Sequence, residues 1–191
     1  MAEGFYLAIV SIATAFVCGG LIFLLAGVRK GISVSDYLGL KSPRSTAIFK
    51  WLGVAVALWA LCDTSSVLLK RNVVPDFMVK AYLTAGSVPL FWLGIAVAAP
   101  VFEELFFRGF IFAGWARSRL RPTGTIFLTA ALWAAIHQQY DFYDMTMIGV
   151  MGILLGFARL QTGSLYTPIL MHCLQNLIAT TELWLFARNG V

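Results

Sequence analysis

Three ionisable side chains stand inside an apolar stretch that is long enough to cross a membrane. Glu103, Glu104 and Arg108 lie in the segment 88–115, whose other residues are mostly apolar. A charge near the bilayer centre costs about 2.5–3.5 kcal/mol on insertion scales, so such groups need partners or a function. Glu104 and Arg108 are spaced to pair on one helix face. Glu103 points about 100° away and can face another element.

Two more polar positions follow in the apolar segments downstream. His137 lies one helical turn after Trp133, whose ring can wall the imidazole with apolar surface. His172 and Asn176 share a helix face by the same spacing. A carboxylate beside an imidazole in a low-dielectric cavity can take a proton from water, which suits Glu103 with His137. Hydrogen-bond donors such as His172 and Asn176 suit the oxygen that becomes negative during acyl transfer.

A metal-dependent route uses the same side chains. Glu103, His137 and His172 form a His₂Glu set, which can bind zinc and leave a fourth position open for water. Glu104 is then available as a second carboxylate. Both routes end in hydrolysis of a peptide bond, and the sequence leaves the zinc-dependent and the metal-free mechanism open.

The elements that position these groups are predicted to be membrane helices. Of the 191 residues, 60% are hydrophobic and only 12% are charged, whereas soluble domains carry about 25% charged residues. We therefore predict an all-α polytopic membrane helix bundle with about six transmembrane helices. Their expected ranges are 5–28, 48–69, 88–115, 123–139, 145–160 and 165–187. Residues 1–87 form the N-terminal helices and loops, and residues 88–187 form the catalytic core in the last four helices.

The connections between these helices are expected to be polar. Residues 31–44 form a loop with a short interfacial helix that starts at Ser33 or Ser35, and residues 70–80 form a second loop. The formal charge of +5 comes from basic residues scattered between apolar segments, which argues against nucleic-acid binding. Arg159 is counted among the loop cations, whose bias favours an outside N-terminus with the odd-numbered loops cytoplasmic.

Helix depth allows the polar groups to meet. Glu103 and His137 are equally far along the chain from the turn near Leu120, so both lie about 20–25 Å from it. His172 and Asn176 lie about 15–21 Å beyond the following turn, near residue 162. All of these groups can therefore share one layer inside the membrane.

Other features are interpreted as structural. Gly152 and Gly156 have the small-xxx-small spacing that lets two helices approach closely. Asp63 is expected to mark a polar break or a helix end. Glu182 is expected to lie at the membrane interface, near the far end of the last helix.

The motifs in this order resemble those of a known family. The segment Glu103-Glu104-Leu-Phe-Phe-Arg108 is similar to the EExxxR motif of the CAAX protease and bacteriocin-processing family, the type II CAAX prenyl endopeptidase-like intramembrane proteases. The family's FxxxH motif corresponds to residues 133–137, where Trp133 replaces Phe. Its HxxxN motif corresponds to residues 172–176. The resemblance covers about half of the chain, from residue 88 to residue 187.

The resemblance implies an intramembrane endopeptidase whose partners are the lipid bilayer and a peptide or membrane-protein substrate. It implies that Glu103 and His137 activate water, and that His172 and Asn176 form the oxyanion site, with His172 alternatively a metal ligand. Glu104 and Arg108 would brace the site. The small size favours an integral, multi-pass protein of the bacterial inner membrane, where bacteriocin maturation, self-immunity and processing of membrane-associated peptides are the expected roles.

Two other classes of function use the same polar residues. A small membrane transporter also carries intramembrane Glu, His and Arg along its ion pathway, but no internal hydropathy symmetry is visible in the sequence. A catalytically silent membrane scaffold could bind partners through the same cluster. The presence of every presumed catalytic residue argues against the scaffold.

Overall fold

The computed structural model describes residues 3–188, and this part of the chain is all-helical. It forms eight helices without a strand. Their bounds are α1 Glu3–Gly27, α2 Val34–Leu38, α3 Ser45–Leu68, α4 Asp76–Leu83, α5 Val88–Trp115, α6 Arg121–Ala135, α7 Phe142–Thr162 and α8 Tyr166–Arg188. The all-α class and the six long helices agree with the sequence-based expectation.

Four helices are long and apolar enough to cross a membrane, namely α1, α3, α5 and α7. The count of about six transmembrane helices is not confirmed for α6 and α8. Helix α6 has 15 residues, which gives a length of about 22 Å against a hydrocarbon thickness of about 30 Å. Helix α8 has 23 residues but carries polar side chains along most of its length. The structure therefore supports an integral membrane protein with four candidate spans.

One predicted loop contains the short helix that was expected, and the other contains a helix that was not. The interfacial helix exists as α2, where the Ser33 side chain accepts a hydrogen bond from the Asp36 N–H as an N-terminal cap. Gly39 ends α2 with a φ of +75°, which suits glycine. The second loop was expected to be irregular but contains the start of α4. This helix forms because Met78 and Ala81 are buried in a cluster with Phe91 and Leu183.

Helix α5 is not a regular α-helix. It contains π-helical stretches at Leu93–Ala98 and Leu105–Ile111, on either side of the two glutamates. In the first stretch the Ala99 N–H bonds the Gly94 carbonyl, five residues back. The next such bond would join the N–H of residue 100 to the Ile95 carbonyl, but Pro100 has no N–H. The Ile95 carbonyl is thereby left for another donor.

Glycines on α7 allow a close approach to α6, as the small-xxx-small spacing predicted. A Cβ on Gly156 would lie 2.8 Å from the Ile126 side chain. A Cβ on Gly152 would lie 3.0 Å from the side chains of Ala130 and Trp133. The two helices therefore pack with almost no space between their backbones at these positions.

Arg159 lies in the last turn of α7, so the prediction that it belongs to a loop is wrong. It is 8% exposed rather than free in a connection. Its Nε donates to the Arg108 carbonyl at 3.1 Å, and its Nη2 donates to the Leu38 carbonyl at 3.4 Å. The cation therefore ties α7 to α5 and α2, and its charge is a weak guide to membrane orientation.

The outer surface is apolar, as a lipid-facing surface requires. On α1 the large side chains of Phe16, Val17 and Leu24 are 79%, 72% and 70% exposed. The buried side chains concentrate instead between α5, α6, α7 and α8, around Phe107, Trp133, Leu155 and Met171. The polar residues of α5 face this interior.

Candidate active site

A fully buried ionic cluster lies between α5 and α8. The side chains of Glu104 and Arg108 are both 0% exposed, and Arg108 Nη1 donates to Glu104 Oε1 at 2.9 Å. His172 Nδ1 lies 3.0 Å from the same carboxylate oxygen. Because a carboxylate paired with arginine only accepts, the His172 Nδ1 carries a proton and its Nε2 is left for other contacts. The predicted pairing of Glu104 with Arg108 is therefore observed.

Arg108 is held by groups from two further helices. Its Nη2 donates to the Gly152 carbonyl of α7 at 2.9 Å, and its guanidinium lies 4.8 Å from the centroid of a Trp133 ring on α6. A Cβ on Gly152 would approach the Arg108 Nη2 to 3.0 Å. The spacing of Gly152 to Gly156 predicted a role in helix packing alone. The structure shows that the Gly152 carbonyl also binds the buried Arg108 cation.

Trp133 occupies the centre of the site. Its Nε1 donates to Glu103 Oε2 at 2.6 Å. Its ring makes an edge-to-face contact with each imidazole, with centroid distances of 5.3 Å to His137 and 5.1 Å to His172. The hydrogen bond fixes one oxygen of Glu103 and leaves Oε1 for another partner. Trp133 therefore provides an apolar surface beside His137 and also orients Glu103.

His137 lies just beyond the end of α6, not inside a helix over 123–139 as the sequence predicted. The last helical residue is Ala135, and the His137 N–H turns back to the Ala134 carbonyl. The Trp133 carbonyl thus loses its helical donor, and His137 Nδ1 lies 2.7 Å from it. Since a carbonyl only accepts, Nδ1 carries the proton and the Nε2 lone pair stays free.

The side chain of Asn176 is held in place by a hydrogen bond to the π-helical part of α5. Its Nδ2 donates to the Ile95 carbonyl at 2.8 Å, the carbonyl that Pro100 leaves without a backbone donor. An amide nitrogen has two N–H groups, so the second N–H of Asn176 remains available. Sequence reasoning identified Asn176 but could not name this partner.

The predicted residues meet at a cavity of about 320 Å³. Five of them line it, namely Glu103, Trp133, His137, His172 and Asn176. Glu104 and Arg108 do not belong to the lining and reach it through the hydrogen bond to His172. The geometry brings together a free carboxylate oxygen, two imidazoles and an amide in one pocket, which is the equipment that activation of water and stabilisation of an anion require.

The zinc prediction remains untested, and the side chains as they stand do not match its ligand set. Within residues 3–188, no group of three or more His, Cys, Asp or Glu side chains could hold a metal ion. Each imidazole Nδ1 is already engaged, at His137 by the Trp133 carbonyl and at His172 by Glu104, so a metal would have to bind through Nε2. The reaction steps proposed below use no metal.

Residues 85–178 match the family model described as "Type II CAAX prenyl endopeptidase Rce1-like". This region belongs to the Rce1-like family. The match confirms the resemblance that the three motifs carry, and every predicted site residue from Glu103 to Asn176 lies inside it. The Rce1-like region contains α5, α6 and α7 and about half of α8.

A curated relative of the Rce1-like region is an uncharacterized 24.3 kDa protein from Escherichia coli. The two are 33% identical over 101 residues, which are 50% of this chain and 46% of the relative. The chain thus spans about half the length of this relative. No solved structure matches the chain.

The cavity also exposes residues that sequence reasoning did not assign to the site. Asp63 lies inside α3 and lines the cavity, so it marks neither a break nor an end of that helix. Glu182 accepts a hydrogen bond from Trp59 Nε1 at 3.0 Å and thereby joins α8 to α3. Gln175 also lines the cavity. The sequence contained a signal for Asp63, which is an acidic residue in an apolar segment, but it contained none for Gln175.

Proposed function

We propose that this protein is an intramembrane endopeptidase that hydrolyses peptide bonds of membrane-associated proteins or peptides. The observation that carries the proposal is the convergence of Glu103, His137, His172 and Asn176 on one cavity inside the Rce1-like region. The family match favours the peptidase over the transporter and the scaffold, because its description names an endopeptidase.

The first step is activation of water by Glu103 and His137. A water in the cavity can donate one hydrogen to Glu103 Oε1 and the other to the free Nε2 of His137. Glu103 takes one proton as the water oxygen attacks the carbonyl carbon of the scissile peptide. The Trp133 hydrogen bond to Oε2 holds the carboxylate in one orientation during this step.

The second step is stabilisation of the negative oxygen that the attack creates. His172, when protonated, donates from Nε2, and Asn176 donates its second N–H. The Glu104 carboxylate accepts from His172 Nδ1 and orients the ring, as the buried aspartate orients the histidine of a Ser-His-Asp triad. The carbon–nitrogen bond then breaks, and the proton on Glu103 passes to the leaving amine.

Glu104 and Arg108 act as positioning residues in this scheme. The Arg108 guanidinium pairs with Glu104 and holds that carboxylate beside His172. Its bond to the Gly152 carbonyl fixes the pair relative to α7. Zinc held by Glu103, His137 and His172 is the metal-dependent form of the proposal, and none of these steps passes through it.

The membrane setting and the substrate class follow from the same features. Four apolar helices and a cavity between helices favour substrates that are themselves membrane-associated. We propose the bacterial inner membrane as the location, in keeping with the similarity to a protein from Escherichia coli. Processing of membrane-associated peptides fits this location better than removal of prenylated tails.

The decisive experiment replaces Glu103 by Gln, which keeps the size of the side chain and removes the base. Membrane proteins from cells that express wild type or Glu103→Gln are compared by identification of new chain termini, and the cleaved peptides are then offered to the purified proteins. We expect the rate to fall at least about 10²–10³-fold. Glu3 is an exposed carboxylate that pairs with Lys80, so Glu3→Gln is the matched control and should cleave normally.

The result that contradicts the peptidase is a Glu103→Gln protein that cleaves a verified peptide at the wild-type rate. Chelation separates the two mechanisms. In the metal-free route EDTA leaves the rate unchanged. Loss of activity with EDTA, restored by zinc alone and accompanied by one zinc per protein, would establish the metal-dependent form instead.

A further inference from the structure

The active-site cavity continues beyond the residues that the proposed reaction uses. From Glu103 and His172 it extends along α8 toward α3, where its wall includes Trp59, Asp63 and Gln175. Asp144, near the start of α7, lines the same cavity. We call these four residues, Trp59, Asp63, Asp144 and Gln175, the α3 arm.

Gln175 is a buried polar side chain without a protein partner. It is 6% exposed and lines the cavity, and its amide takes part in no hydrogen bond within residues 3–188. The Gln175 amide opens onto the cavity and is available to a group that enters it. Its carbonyl oxygen can accept, and its nitrogen can donate.

The charges of the arm select the sign of that partner. Three carboxylates line the whole cavity, Glu103, Asp63 and Asp144, while no Lys or Arg of residues 3–188 belongs to its lining. The nearby cation Arg71 forms an ion pair with Asp141, lies over the Tyr143 ring and is close enough for its charge to act on Asp144. An acidic cavity without its own cation favours a positively charged ligand.

The two carboxyl groups at the end of the arm reinforce this selection. The carboxyl groups of Asp63 and Glu182 are close enough to interact, and Glu182 Oε1 accepts from the Trp59 indole at 3.0 Å. Two carboxylates this close repel each other when both are ionised. A cation bound beside Asp63 would relieve the repulsion, and the Trp59 ring offers an aromatic surface for it.

We propose that the α3 arm is a specificity subsite for a cationic side chain, a lysine ammonium or an arginine guanidinium, on the substrate. The cation pairs with Asp63, the Gln175 carbonyl oxygen accepts one of its N–H groups, and Asp144 adds negative charge to the same cavity. The assignment to substrate rests on the proposed function, because the arm is continuous with the cavity that holds Glu103. An amine headgroup of a lipid has the same chemistry and is a separate arm of the test.

Binding can be measured without catalysis. Purified protein in lipid-free detergent micelles is titrated with pentylguanidinium and with pentylurea, its neutral isostere, and tryptophan fluorescence and the apparent melting temperature are followed. We expect pentylguanidinium to bind wild type at least about tenfold more tightly than pentylurea, since one charge-assisted hydrogen bond is worth about this factor. Asp63→Asn should lose about tenfold in affinity, and Gln175→Leu should lose less.

Asp76→Asn is the matched control. Asp76 is an exposed carboxylate at the start of α4, on the same side of the bundle but outside the lining. This variant should bind pentylguanidinium as wild type does. Equal affinity of wild type for the guanidinium and the urea overturns the proposal. Unchanged affinity in a folded Asp63→Asn protein overturns it as well.

Two further measurements separate the source of the cation and the role of the site. Vesicles of phosphatidylethanolamine that displace the probe, where lysine-containing peptides do not, would assign the arm to a lipid headgroup and overturn the substrate assignment. Glu103→Gln should lose less affinity for the probe than Asp63→Asn does, so a failure of the peptidase proposal leaves the binding result intact. In a cleaved peptide, replacement of the lysine by methionine should raise KM with little change in kcat.

Discussion

Two arginine–carboxylate pairs in this protein have the same chemistry and opposite surroundings. The Arg108–Glu104 pair lies inside the helix bundle with both side chains 0% exposed. The Arg71–Asp141 pair joins the segment after α3 to the start of α7, with side chains 34% and 52% exposed. The buried pair depends on protein partners for every charge, while the exposed pair has water as an alternative partner.

The two pairs also differ in the number of further polar contacts that surround them. Around Arg108 the structure adds the Gly152 carbonyl, the Trp133 ring and, through Glu104, the His172 imidazole. None of these contacts can be replaced by solvent, so loss of one leaves a charge in a low-dielectric interior. Around Arg71 loss of a contact exposes a charge that water can solvate. The two pairs should therefore respond very differently to substitution.

Removal of the buried cation should have the largest effect on stability. Arg108→Met leaves Glu104 without its compensating charge, and breaking a buried pair in this way costs about 3–5 kcal/mol. We expect a large fall in the apparent melting temperature in detergent and loss of activity. The double variant Glu104→Gln with Arg108→Met removes both charges and should regain part of the loss in melting temperature. A double variant as unstable as the single one would contradict this account.

The second prediction concerns the space around the buried pair. Gly152→Ala puts a methyl group 3.0 Å from Arg108, Ala130 and Trp133, and overpacking of this kind costs about 1–3 kcal/mol. Gly53→Ala is the control, because a Cβ there meets nothing within 4 Å. The melting temperature should fall in the first variant and stay level or rise in the second. Equal effects would mean that α6 and α7 separate easily to admit the methyl group.

The elements and motifs around this pair were predictable because they depend on composition and spacing. Long apolar runs give the helices, since the bilayer requires about 20 such residues. The spacing of Glu104 and Arg108 gives their pairing, which needs only one regular turn. These features come from local rules that a single sequence contains.

The features that were missed depend on tertiary contacts. His137 leaves α6 because its own side chain replaces a helical donor at the Trp133 carbonyl. Asp63 faces a cavity whose other walls come from α5, α7 and α8. Helical periodicity also changes within α5, because each π-helical stretch alters which face the following residues occupy. No pattern within one segment of the sequence reports such contacts.

The third prediction tests a polar contact of intermediate strength. Asn176→Ala removes the side-chain donor to the Ile95 carbonyl, which Pro100 cannot replace because it has no N–H, at a cost of about 1–3 kcal/mol. Thr181→Ala removes a similar side-chain bond of 2.7 Å to the Leu177 carbonyl. That carbonyl lies in the regular helix α8 and keeps its backbone donor. The melting temperature should therefore fall clearly for Asn176→Ala and hardly at all for Thr181→Ala, and a reversed order would contradict the role assigned to Pro100.

The smallest effect is expected at the exposed pair, where pH should reveal it. The pKa of Asp141 lies below its usual range because the Asp144 N–H donates to its carboxylate, and the Arg71 guanidinium adds to the shift. A carboxyl group whose pKa is lower in the folded state stabilises the fold above its unfolded pKa, about 3.9, and this contribution is lost as pH falls through the lower folded value.

Asp141→Asn keeps an oxygen that can cap α7 but loses the ion pair. Its melting temperature should therefore lie slightly below that of wild type at pH 7 and approach it at about pH 3, and added salt should shrink the difference at pH 7. A gap that persists unchanged at low pH would show that the charge of Asp141 is not what stabilises this end of α7.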